Sequence, residues 1–149
     1  MKKDSFLHIV VVFVICLIFS YACGKKAPPV PPGTITAKPI KDLKAKLINN
    51  HILLTWTIPT QNSDGSPLLH IKEFYIFKAA IPLGSCPTCP VEYQSVIVVP
   101  FNQSLKPGMK IKYIDKNIYH GRIYVYQVCT VKGWRNQSRL SNKVWIKYK

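Results

Sequence analysis

The chain has 149 residues, enough for one ordinary domain with little left over. Hydrophobic residues make up 48% and charged residues only 18%, and the charge is one-sided, 21 Lys+Arg against 6 Asp+Glu for a formal +15. Those figures exclude a multidomain enzyme, a coiled coil, a collagen-like chain and a multi-pass membrane protein, and leave open a single anchored domain.

The chain begins with a short basic head, Lys2-Lys3. An apolar run from Phe6 to Phe19 follows, interrupted only by His8. As a helix rising ~1.5 Å per residue this run spans about 21 Å. That falls short of the roughly 30 Å hydrocarbon core of a bilayer. The length fits the apolar core of an export signal better than a permanent span. Ser20-Tyr21-Ala22-Cys23-Gly24 then supplies the small-residue site such a signal needs. An uncleaved N-terminal anchor helix is the competing reading.

Ala22-Cys23 resembles the lipobox of bacterial lipoproteins, in which a small residue precedes an obligatory Cys. Ser20 departs from that pattern, where Leu is usual, and Tyr21 is bulkier than the usual residue. The resemblance implies cleavage after residue 22 and a thioether from Cys23 to diacylglycerol. Each buried methylene of such a chain contributes about 0.8 kcal/mol, so several chains anchor stably. It also implies residence in the bacterial cell envelope, on the outer membrane and facing the periplasm or the cell surface. Pro28, Pro29, Pro31 and Pro32 follow Lys25-Lys26 and impose an extended tether at about 3.1 Å per residue. The expected organisation is a signal peptide at 1–22, an acylated Cys and tether at 23–38, and one folded domain at 39–149. A proline-rich partner ligand is the rival reading of the tether.

From Pro39 onward, short runs of period 2 alternate with turn clusters. Ile52, Leu54, Trp56 and Ile58 share one strand face. Gln61–Pro67 is a polar turn. Further strands are predicted over Ile71–Lys78, Val91–Val99, Lys110–Asp115, Arg122–Lys132 and Val144–Tyr148. The expected fold class is all-β, a two-sheet sandwich of about seven strands. Trp56, Phe74, Tyr124 and Tyr126 are its expected core aromatics.

In order and spacing these segments resemble a fibronectin type III domain of the immunoglobulin-like class. Pro39-Ile40-Lys41-Asp42-Leu43 looks like its first strand, and Trp56 like the tryptophan of its second. Asp115, then a hydrophobic residue and Gly121 before Tyr124-Val125-Tyr126 look like its sixth-strand entry. Tyr124 is then the corner tyrosine. Ser138 to Val144, with its paired serines before Val144, looks like its last strand. The long stretch Pro82–Met109 departs from the pattern.

Five cysteines are present. Cys16 leaves with the leader and Cys23 is the acylation site. In an oxidising compartment Cys86-Pro87-Thr88-Cys89 closes a small disulfide loop. A redox-active pair or a metal site are the alternatives. Reactive pairs favour a helix N-terminus, which is not expected here, and no second CxxC completes a metal set. Cys129 is expected as a free thiol on the outer face of a sheet, a strand length from that loop.

The carboxylates Asp42, Asp64, Glu73, Glu92 and Asp115 form no nearby pair suited to acid–base work. No catalytic or phosphate-cradling motif is present. The expectation is a binding module without enzymatic activity, metal or cofactor, making protein or glycan contacts in the envelope. A structural or assembly subunit of an envelope complex is the alternative. Trp134 and Arg135 are the candidate partner contacts, on a loop sharing one end of the sandwich with the loop before the third strand. Tyr75, Phe77, Val125 and Cys129 form an outward apolar strip, expected to lie under the Pro82–Met109 stretch. Removing residues 1–22 takes away Lys2, Lys3 and Asp4 and lowers the formal charge by one. The remaining lysines read as scattered along strands. Lys25 and Lys26 suit anionic lipid head groups, and no nucleic-acid partner is expected.

Overall fold

The computed structural model describes residues 35–102, 104–133 and 136–149. The leader, Cys23 and most of the tether lie outside the described residues, as do Trp134 and Arg135. Pro31–Lys149 forms one compact unit.

Among the described residues there are eight strands: β1 (Lys44–Ile48), β2 (His51–Thr57), β3 (Ile71–Pro82), β4 (Ser95–Pro100), β5 (Lys110–Asp115), β6 (Arg122–Lys132), β7 (Asn136–Gln137) and β8 (Val144–Tyr148). All pairings are antiparallel. One sheet runs β1-β2-β5. The other runs β4-β3-β6-β7, with β8 also on β6. Their facing side chains make a shared core, so the fold is an all-β sandwich. Ile52, Leu54, Trp56 and Ile58 from the smaller sheet meet Phe74, Ile76, Tyr124, Tyr126 and Val128 from the larger. Trp56 meets Phe74 edge to face at 5.8 Å. The four aromatics expected in the core are all buried.

Three local differences from the expected strands have identifiable causes. The first strand begins at Lys44, not Pro39. The ladder stops at Lys44 opposite Thr55 because side chains take over the backbone groups beyond it. Asp42 accepts the Thr57 N–H (3.1 Å), and the Asn142 amide accepts from Leu43 N (3.0 Å) and donates to Leu43 O (2.9 Å). Ile40 and Leu43 still point into the core. The β1–β2 connection is a two-residue turn, Asn49-Asn50, both at positive φ (45° and 59°). Asn tolerates that region, and the primed turn it permits matches strand twist.

The third strand continues to Pro82, past Lys78, pairing β6 as far as Arg122. The fourth starts only at Ser95, because Val91–Gln94 is used differently. The Gln94 side chain accepts from Ala80 N (2.8 Å), and Val91 and Tyr93 lie over the sheet.

The chain from β7 to β8 follows β6 with a break at Ser138–Lys143. There the two serines substitute for ladder carbonyls. Ser138 Oγ accepts from Thr130 N (3.0 Å) and Ser141 Oγ from Val128 N (2.9 Å). Both serines are buried. This is the physical reason for two serines ahead of the last strand: without their hydroxyls two core N–H groups would have no acceptor.

The folded body also takes in residues before Pro39. Ala37 is buried and bridges Asn62, and Ser63 N donates to Thr36 O (2.8 Å).

Candidate binding surfaces

The end of β6 and the start of β7 lie beside the loop before β3. Lys132 Nζ donates to Asn62 Oδ1 (2.9 Å) and to Ile35 O (3.5 Å), and Asn136 Nδ2 donates to Ile35 O (3.2 Å). Asn62 in turn donates to Ser66 Oγ and Pro67 O, which shapes the Gln61–Pro67 turn. Asp64 accepts from the Ser66 hydroxyl and N–H, and these bonds hold its carboxyl below the usual range.

Beside this end lies an open groove of about 890 Å³. Lys38, Ile40, Lys41, Asp42, Gln61 and Arg139 are among its lining residues. Partial burial works against ionisation of Asp42, but the Thr57 hydroxyl (2.6 Å) and N–H, its own N–H and Lys110 outweigh it. The net shift of its pKa is downward. Asp42 therefore faces its neighbour Thr57.

Four of the lysines come together through strand pairing. On β2 the even-numbered residues enter the core and the odd-numbered ones face solvent. The register then sets Lys44 and Lys112 on either side of Thr55. Lys46 and Ile114 flank Leu53, and Lys110 lies beside Thr57. All four lysines are exposed. A two-residue step is ~7 Å along a strand and two strand spacings are ~10 Å across. Lys44, Lys46, Lys110 and Lys112 thus form a compact cationic face on the smaller sheet. Asp42, bonded to Thr57, is the carboxylate at its margin. Sequence spacing hints at this through two Lys-x-Lys pairs, but their apposition exists only through strand order.

The outward face of the larger sheet is covered in part, as expected of the Pro82–Met109 stretch. Val91 and Tyr93 pack over Ala79, Ile123 and Val125. Tyr93 meets Phe77 edge to face at 5.8 Å, and its hydroxyl donates to Gln127 Oε1. Cys129 is a free thiol, but it is 1% exposed, not on an open surface. Burial pushes its pKa up to about 11. Val96 and Val98, at the rim of this face, stay 50% and 53% exposed.

Cys86 and Cys89 are joined by a disulfide with Cα atoms 5.4 Å apart. Lys143 Nζ donates to Cys89 O (2.8 Å) and Thr88 O (3.4 Å), which ties this loop to the approach of β8.

One buried ionic cluster crosses the core. Lys78 on β3 meets Asp115 on β5 at 2.6 Å, joining the two sheets. Asp115 also accepts from Tyr126 OH (2.7 Å) and Asn117 N (3.0 Å). Lys78 donates to Asn117 O (2.5 Å) and sits 5.0 Å from the centre of the Tyr124 ring. Burial, and then the bond to Asp115, drive the Tyr126 hydroxyl pKa far upward. This pair is not legible along the chain, because thirty-odd residues and a sheet boundary separate its members. Among the described residues no three of His, Cys, Asp or Glu come together as a metal set.

No family model matches the chain, and no curated protein matches it. Among solved structures, one titled "Myokine structure" is similar, with a TM-score of 0.46 and 14% identity over 76% of this chain and 98% of that one. A likeness of that size carries no argument about fold or activity.

Proposed function

We propose that this protein is a bacterial envelope lipoprotein. In this reading Cys23 carries the acyl chains, the proline tether spaces the body from the membrane, and a fibronectin type III-like sandwich acts as a binding module without catalytic activity. The fibronectin reading is supported by the Tyr124 corner. Its hydroxyl accepts from Tyr119 N (2.6 Å) and donates to Tyr119 O (3.3 Å), five residues upstream.

The observation that carries the binding role is the cationic face of β1, β2 and β5. It presents lysines without arginine or aromatic anchors. Lysine is depleted from the buried centres of protein–protein interfaces, where its hydration and entropy are costly to give up. A hydrated polyanion asks for neither sacrifice and binds by counterion displacement. An anionic envelope glycan therefore fits this face better than a protein surface does.

Two measurements test the proposal. The full chain, extracted from membranes in detergent, is passed over immobilised heparin as a probe polyanion, with neutral dextran as control. Replacing Lys44, Lys46, Lys110 and Lys112 by Ala should lower the eluting salt well below that of a variant lacking Lys72, Lys106, Lys116 and Lys149. Equal loss in both variants would show that only net charge matters and would defeat the face. Separately, Cys23→Ala should release the protein from the membrane fraction and abolish the acylated N-terminal peptide. A chain that stays bound with an intact leader refutes the anchor.

A further inference from the structure

Each sheet of an open sandwich has two edges, and an edge strand is a template for further pairing. Here β1 and β5 are the edges of the smaller sheet, and they carry Lys44, Lys46, Lys110 and Lys112. The β7–β8 side of the larger sheet carries Lys147. Lysine on an edge strand opposes a second strand by charge and by hydration. The remaining edge, β4, has no such protection. Its sequence is Ser95-Val96-Ile97-Val98-Val99-Pro100, and no side chain from Gln94 to Leu105 is ionisable.

The register shows which groups β4 offers. Phe101 N donates to Lys72 O (3.0 Å), which makes that a hydrogen-bonded pair. Alternation along the ladder then turns Ser95, Ile97 and Val99 towards β3. The N–H and C=O of Val96 and Val98 point away from the sheet. Among the described residues no strand pairs with this edge.

We propose that β4 pairs antiparallel with β4 of a second copy of this chain, across a twofold axis at Ile97. Val96 of one copy then stands opposite Val98 of the other, and the same pair recurs on the far side of the axis. Both pairs are of the hydrogen-bonded kind, so every free group of Val96 and Val98 is used. Pro100 has no N–H and ends the row. The exposed side chains of Val96 and Val98 meet their counterparts on one outer face, a cross-strand contact suited to β-branched residues. The two larger sheets become one.

The charge distribution favours a second copy over another occupant. An acidic partner strand is drawn to the lysine-bearing edges, not to the neutral one. A second copy is strongly cationic and is repelled by every edge except β4. The pairing therefore strengthens as salt screens the overall repulsion, opposite to the salt response of a polyanion contact.

The test is the mass of the full chain in detergent micelles, followed from low to high salt. The expected result is a dimer whose fraction rises with salt. Val98→Lys places a lysine on this edge at a half-exposed position and should weaken the dimer about tenfold or more. Its far-ultraviolet spectrum and melting should stay near those of the parent chain. Co-expressed Val96→Cys and Val98→Cys chains should form a mixed disulfide on oxidation, whereas chains carrying Val96→Cys alone should crosslink much less. A monomer at all salt concentrations, a dimer indifferent to Val98→Lys, equal crosslinking in both arrangements, or a different protein's strand on β4 would each overturn the proposal.

Discussion

Replacing Asp115 with Ala tests how the two sheets are held together. In the folded protein its carboxylate is 3% exposed and takes three donors: Lys78 Nζ, Tyr126 OH and Asn117 N. Removing it strands the Lys78 ammonium, itself 10% exposed, inside the core. Breaking one side of a buried pair costs about 3–5 kcal/mol, because the remaining charge stays desolvated. Lys78 keeps Asn117 O and the Tyr124 ring, so the lower end of that range, about 3 kcal/mol, is expected here. For a domain this size that corresponds to a fall of about 10 °C or more in Tm. Urea unfolding of the full chain, followed by tryptophan fluorescence, measures it directly. Lys78→Met should cost less, because Asp115 retains its hydrogen bonds from Tyr126 and Asn117. The double variant should fall well short of the sum, by about 2 kcal/mol of coupling. A cost below about 1 kcal/mol for Asp115→Ala, or strict additivity, would refute a desolvated pair bridging the sheets.

Further outcomes rest on single side chains. Tyr124→Phe removes the hydroxyl that accepts from Tyr119 N and should lower stability by about 1–2 kcal/mol in the same assay; an unchanged midpoint would mean the corner bond contributes nothing. Cys129 should resist a disulfide reagent at pH 8 in the folded protein and react on unfolding, since its thiol is buried and its pKa stands at about 11 against an ordinary thiol value of 9.0. Between those two pH values the folded state holds the proton more tightly than the unfolded chain. Stability is therefore intact below about pH 9 and declines as pH rises toward about 11. A Cys129→Ala variant should lose that part of the alkaline decline, and an identical pH profile would exclude the thiol as its source.

Much of the fold was legible because strand faces alternate with period two. Ile52, Leu54, Trp56 and Ile58 announce a buried face without reference to any other part of the chain, since burial of alternate side chains is a local consequence of the pleat. Asp64, Gly65 and Ser66 likewise announce a turn through their backbone preferences. Strand ends were less legible. Where β1 begins depends on Asp42 reaching Thr57 and on Asn142 reaching Leu43, contacts made by residues far along the chain.

The alternation of strands and turns, the core aromatics and the excess of positive charge can all be read along the chain. Where that charge gathers depends on strand order. Lys44 and Lys112 flank Thr55 because β5 returns to the far side of β2, and Lys78 finds Asp115 because two sheets close over one another. Alternation is written in neighbours along the chain, whereas which strand lies beside which is settled by the packing of a whole core, and no short stretch of residues encodes it.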